Sequence, residues 1–167
     1  MELRLRKKIY IIRHAKSSWK DSSLSDFDRP LNKRGKKDAP FMAELLRKKG
    51  IFFDKVVCSP ANRTKTTAKI LLQAINSHEI LYDENIYEAS YKDLLKIINS
   101  TDDKVKNLAI IGHNPSLNDI CEHLCKCVID NIPTCGCILM SFDGKWRDVC
   151  QNSARIEFFE YPKKHIF

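Results

Sequence analysis

Apolar residues come in short blocks along the chain, and the spacing within each block separates strands from helices. "KIYIIRH" (8–14) and "NLAIIGH" (107–113) are apolar runs with no polar alternation, the pattern of strands buried on both faces. "DKVVCS" (54–59) predicts a third such strand and "EILYDE" (79–84) a shorter one. "CILMSFD" (137–143) and "ARIEFFEY" (154–161) predict a closing pair that turns near Asp143-Gly144. Other blocks repeat at three and four residues. Phe41, Leu45 and Lys48, with Met42 and Leu46 beside them, predict a helix over 36–49, and Leu94, Leu95 and Ile98 another over 91–100. Pro40 obscures where the first of these starts, since proline suits only the opening turn of a helix. Ser59-Pro60 and Asn114-Pro115 each read as an N-cap followed by a first-position proline. They predict helices running to about Ile75 and over 115–127. Strands alternating with helices make an α/β sheet covered on both faces.

That layout gives three strand ends a meaning. In open α/β sheets, ligands bind beyond the carboxyl ends of the strands. Here one end carries Arg13-His14, a second Ser59 with Arg63 four residues on, and a third Gly112-His113-Asn114. If the three strands are parallel, these groups share one edge, next to helix starts whose free N–H groups favour an anion. Two histidines and two arginines suit a phosphoryl group. A neutral imidazole is a nucleophile near neutral pH, and fixed guanidinium groups can hold the charge spread over three phosphoryl oxygens. A protonated His113 could donate to those oxygens. The leaving group also needs a proton, and Glu88 in "YEAS" is the acid placed for it by spacing. Taken singly, each residue has a plainer explanation: a surface turn, a capped helix start, a solvated acid. Their agreement in position is what carries weight. "SSWKDSSLSDFDRPLNK" (17–33) is the one long polar connection, and a loop of that length in a compact domain tends to be functional.

Composition narrows the setting. The chain has 167 residues, 43% hydrophobic and 30% charged, which suits one domain over 1–167. Its apolar runs are far shorter than the roughly 20 residues of a membrane span. The basic N-terminus reaches Arg13 without the apolar core or cleavage site of a signal peptide, so a cytoplasmic location is expected and no membrane partner. Seven cysteines are then expected as reduced thiols. The net charge of +8 favours anionic partners, with the basic knots at 4–8, 32–37 and 162–164 read as solvated faces.

"RHAKSSW", "DFDRPLNKRGKKDA" (26–39), "VVCSPANRTKTTA" (56–68), "YEAS" (87–90) and "IIGHNPSL" (110–117), taken in order, resemble the histidine phosphatase superfamily. The likeness is to its small SixA-type phosphohistidine phosphatases, and it extends through "IPT" (132–134), Trp146-x-Asp148 and Pro162-Lys163-Lys164. It implies a phosphoglycerate mutase-like fold, a three-layer α/β/α sandwich with a mostly parallel central sheet and no large cap insertion. By resemblance His14 is the phospho-accepting nucleophile, and Arg13, Arg63 and His113 complete the phosphate pocket. Arg29 of "DRPL" comes near it, and Glu88 falls where many members place their proton donor. Ala15 stands where the superfamily has the glycine of "RHG". The implied reaction is a ping-pong hydrolysis needing no metal or organic cofactor. The implied substrate is phosphohistidine on a protein, because so short a chain has little room to close over a small molecule.

Four other readings compete. A small-molecule phosphomonoesterase would use the same phosphate pocket. A non-catalytic phosphate-binding module would keep the fold without turnover, against the intact set of histidines and arginines. Cys121, His123, Cys125, Cys127, Cys135 and Cys137 invite a zinc site, but lack paired C-x₂-C knuckles. Nucleic-acid binding would account for the charge, but no stacking platform or module motif is present, so no nucleic-acid partner is expected.

Overall fold

In the computed structural model, which describes residues 6–77 and 79–165, the unbroken apolar runs lie at the centre of one six-stranded sheet. In chain order the strands are β1 (Arg6–Arg13), β2 (Lys55–Cys58), β3 (Ile80–Tyr82), β4 (Asn107–Gly112), β5 (Cys137–Asp143) and β6 (Arg155–Glu160). Across the sheet they run β3-β2-β4-β1-β5-β6. The first four are parallel, and β5 is antiparallel to both β1 and β6. Arg13 pairs with Gly112 and Cys58 with Ile111, so the carboxyl ends of β1, β2 and β4 finish level, side by side.

The helices are α1 (Lys33–Lys48), α2 (Asn62–Ala74), α3 (Tyr91–Asn99) and α4 (Ser116–Leu124). Along β1, Tyr10 and Ile12 meet Met42, Leu46, Ala68 and Leu71 from α1 and α2. Ile9 and Ile11 point the other way, into Leu94, Ile98, Leu117 and Ile120 from α3 and α4. Successive side chains of a strand face opposite sides, so a strand covered by helices on both faces must be apolar throughout. That is why "IYII" has no polar alternation, and it yields the three-layer α/β/α sandwich.

Several local expectations are corrected. The first helix starts three residues early, at Lys33, where the Asn32 side chain accepts from the Gly35 N–H at 2.8 Å. Pro40 therefore lies inside the helix, but it is exposed, so water can meet the Lys36 carbonyl it leaves without a donor. Phe41 is 43% exposed; Ala39, Met42, Ala43 and Leu46 form the buried face. Neither proline opens a helix. α2 starts at Asn62 behind Ala61, and α4 at Ser116 behind Pro115. α4 also stops at Leu124 rather than 127, where Lys126 adopts φ +33° and leaves the helical region. The basic knot at 4–8 begins outside the described residues, and its Lys7 is no surface charge. It is 1% exposed, 3.8 Å from Asp103, and burial lowers its pKa.

Candidate active site

The backbone at the end of β1 is held from four sides. The His14 N–H donates to Gly112 O at 3.2 Å, and its carbonyl accepts from Cys135 N at 2.9 Å. The Ala15 N–H donates to Thr67 Oγ1 of α2 at 2.9 Å. The carbonyl of Lys16 accepts from Asn32 N at 3.0 Å at the start of α1. There a Cβ on Gly35 would lie 2.2 Å from that same oxygen, so glycine is what lets α1 seat against the turn after His14.

This frame brings His14, Arg13, Arg63, His113 and Arg29 to one pocket of about 230 Å³. His14 is buried, its ring centroid 5.2 Å from that of His113. His14 Nδ1 lies 2.7 Å from Ala15 O. A carbonyl only accepts, so Nδ1 carries the hydrogen and Nε2 keeps the free lone pair. Burial first, then repulsion from Arg63, Arg13 and any charge on His113, lowers the His14 pKa to about 3 despite that favourable bond.

His113 is set the opposite way. Arg63 Nη2 lies 3.4 Å from its Nδ1, and a guanidinium only donates, so Nδ1 accepts. Its Nε2–H then donates to Ser59 Oγ at 2.8 Å. Ser59, expected as a helix cap, serves mainly to orient this ring. Burial and then Arg63 lower the His113 pKa to about 4. His113 therefore favours its neutral form, and the negative charge of a bound phosphoryl dianion would favour the protonated donor expected from sequence.

The arginines differ in what they have left to offer. Arg13 spends one N–H on Ile132 O at 2.8 Å, and its buried Nε has no acceptor among the described residues. Arg63 donates to Asp26 O at 2.7 Å and Asp26 Oδ2 at 3.0 Å, and its Nε likewise lacks an acceptor. Arg29 is nearly saturated by Ser17 Oγ, Ser18 O and two bonds to Asp26 Oδ1. Asp26 is the hub that sequence reasoning missed. It pairs with both Arg29 and Arg63 and accepts from the Tyr87 hydroxyl at 2.6 Å. The Tyr87 bond first, then the arginines, lower its pKa to about 2. It stood within "DFDRPL" all along, but its partners lie 37 and 61 residues away in the chain. Glu88 is exposed and is not in the His14 pocket. It lines an adjoining one of about 360 Å³ that shares Arg63, His113 and Asn114. The cysteines of the zinc alternative divide between faces: Cys121 packs with α3 and α4, Cys135 and Cys137 against the α1–α2 side.

The depressed histidines predict an acid-sensitive fold. Both folded values, about 3 and about 4, lie below the unfolded value near 6.5. Between them the unfolded chain binds more protons, so stability is complete above about pH 6.5 and is lost as pH falls. Thermal melts should move down in temperature from about pH 7 to pH 5, and inorganic phosphate should restore part of the loss by binding the folded state. A melting temperature flat over this range, or indifferent to phosphate, would contradict these assignments.

Comparisons with known proteins bear on the family and the fold. A family model described as "Histidine phosphatase superfamily (branch 1)" matches residues 9–132. An uncharacterized protein of Mycobacterium tuberculosis (strain H37Rv) is 29% identical over 162 residues, 91% of this chain and 100% of that protein. A protein from Agrobacterium tumefaciens, provisionally named phosphohistidine phosphatase SixA, matches with a TM-score of 0.81 at 25% identity, over 93% of this chain and 98% of that one. The protein histidine phosphatase SixA complexed with tungstate matches in fold with a TM-score of 0.82 at 17% identity, over 94% and 98%.

Proposed function

Because the chain belongs to the histidine phosphatase superfamily, we propose that it hydrolyses phosphohistidine on protein substrates, by way of a phosphoryl group carried on His14. One observation carries the reading. His14 has an unprotonated Nε2 in a pocket lined by Arg13 and Arg63, whose Nε atoms have no acceptor among the described residues. A nucleophilic lone pair beside two guanidinium groups suits attack on a phosphoryl group.

In the first step His14 Nε2 attacks phosphorus and the bond from phosphorus to the substrate nitrogen breaks. Arg13 and Arg63 hold the equatorial oxygens as charge spreads over them. A substrate imidazole already protonated on its other nitrogen leaves as neutral imidazole, so this step needs no buried acid. In the second step water attacks phosphorus, the bond to His14 breaks, and phosphate leaves. The arginines supply the positive charge, and the scheme calls for no metal and no organic cofactor. Support for a protein substrate comes from the mouth of the pocket, where Lys16 and Trp19 are exposed.

Turnover of a phosphohistidine-bearing protein beside a panel of sugar phosphates tests the reading. Preference for the protein is expected; turnover of the sugar phosphates alone would instead select the small-molecule phosphomonoesterase. The proton balance gives a second test. Glu88→Gln should have little effect on phosphohistidine hydrolysis, but should slow alkyl phosphate esters, whose alkoxide needs a proton, by about a hundredfold. Equal hundredfold losses on both would make Glu88 the donor throughout.

A further inference from the structure

The segment "KSSW" contributes something the proposed reaction does not use. Trp19 lines the same pocket as His14, yet is 74% exposed. Arg13, Arg63 and His113 can recognise a phosphoryl group but are indifferent to what carries it. Discrimination requires a contact to the carrier, and Trp19 offers an apolar plane where those residues offer charge and hydrogen bonds.

The plane is held in place before any ligand arrives. The Arg29 guanidinium carbon lies 3.5 Å from the indole centroid, and four Arg29 hydrogen bonds to Ser17, Ser18 and Asp26 immobilise it in turn. The Ser18 N–H donates to Pro30 O at 2.8 Å, and Ser17 bridges to Leu31. One indole face is therefore backed by a fixed cation, while most of the ring surface stays open. A rigid aromatic of this kind gives contact area at little cost in side-chain entropy. With Arg29 covering one face, the other is left for a stacked ring, and an aromatic plane accepts a neutral or a protonated imidazole alike.

We propose that Trp19 stacks against the ring that carries the phosphoryl group, selecting phosphorylated aromatic and heteroaromatic rings over aliphatic phosphate esters. The proposal rests on the phosphohistidine reading and names the residue that would recognise the imidazole.

The test compares kcat and KM for phosphoimidazole, p-nitrophenyl phosphate and glycerol phosphate in the wild type and in Trp19→Ala, Trp19→Leu and Trp19→Phe. Stacking predicts that Trp19→Ala lowers the ring-over-glycerol ratio of kcat/KM about tenfold, mainly through KM. Trp19→Leu, which keeps apolar bulk without a ring, should fall as far, and Trp19→Phe should keep most of the ratio. Equal losses on all three substrates would reduce Trp19 to a structural support and overturn the proposal, as would an unchanged ratio. Wild-type protein that turns over only glycerol phosphate would overturn the phosphohistidine reading, and the stacking role with it.

Discussion

Replacing His14 with alanine is expected to abolish turnover, lowering kcat by about 10⁴-fold or more, the scale of losing a covalent nucleophile. The size follows from the absence of a nearby substitute. His113 has its Nδ1 lone pair facing Arg63 and its Nε2–H directed at Ser59. Because that ring donates to Ser59, it cannot take the hydroxyl proton and activate the serine. Cys58 and Cys135 lie near the strand ends, but burial pushes each thiol pKa up to about 12, so neither is a thiolate. Steady-state kinetics on the purified variant, with a thermal melt to show that it folds, decide the matter. Full activity in His14→Ala would reject the mechanism.

The second large effect is expected at Arg63, which performs three tasks. It brings a guanidinium charge to the pocket, it holds Asp26 through two bonds, and it sets the His113 ring. Arg63→Ala should cost about 10²–10³ in kcat/KM, the loss associated with one charge-stabilising donor in a closed site. Arg63→Lys should recover only part, because a point charge cannot reach Asp26 and the phosphoryl oxygens together. Arg63 also lowers the His113 pKa, so the alanine variant should lose stability less steeply between about pH 7 and pH 5. Activity within a few fold of wild type would mean that the phosphoryl group binds elsewhere.

How much of this was legible in the chain depended on whether the cause was local. The strands were, because "IYII" and "LAII" are buried on both faces and show it in every residue. So was the convergence of His14, Arg63 and His113, since parallel order alone puts consecutive strand ends on one edge. Capping was read less well. Ser59-Pro60 fits the local rule for a helix start, but the Ser59 hydroxyl is engaged by His113, 54 residues away. The start of α1 was hidden because "NKRGKK" carries no apolar period; its signal was Asn32 alone. Asp26 and Trp19 lie in the 17–33 connection expected to be functional, but their individual roles were not legible, for a related reason. Their roles exist only once Arg29, Arg63 and Tyr87 are folded around them. Arg29, read as a neighbour of the phosphate, proves to spend nearly all its donors on Ser17, Ser18 and Asp26.

The central claim is that His14 carries the phosphoryl group. Rapid mixing of the enzyme with a phosphohistidine donor, alkaline quenching and peptide mass spectrometry test it directly. The predicted result is an acid-labile phosphate on the peptide containing His14, formed within one turnover and missing from His14→Ala. Turnover that proceeds with no phosphorylated enzyme, or with the phosphate on another residue, would contradict it.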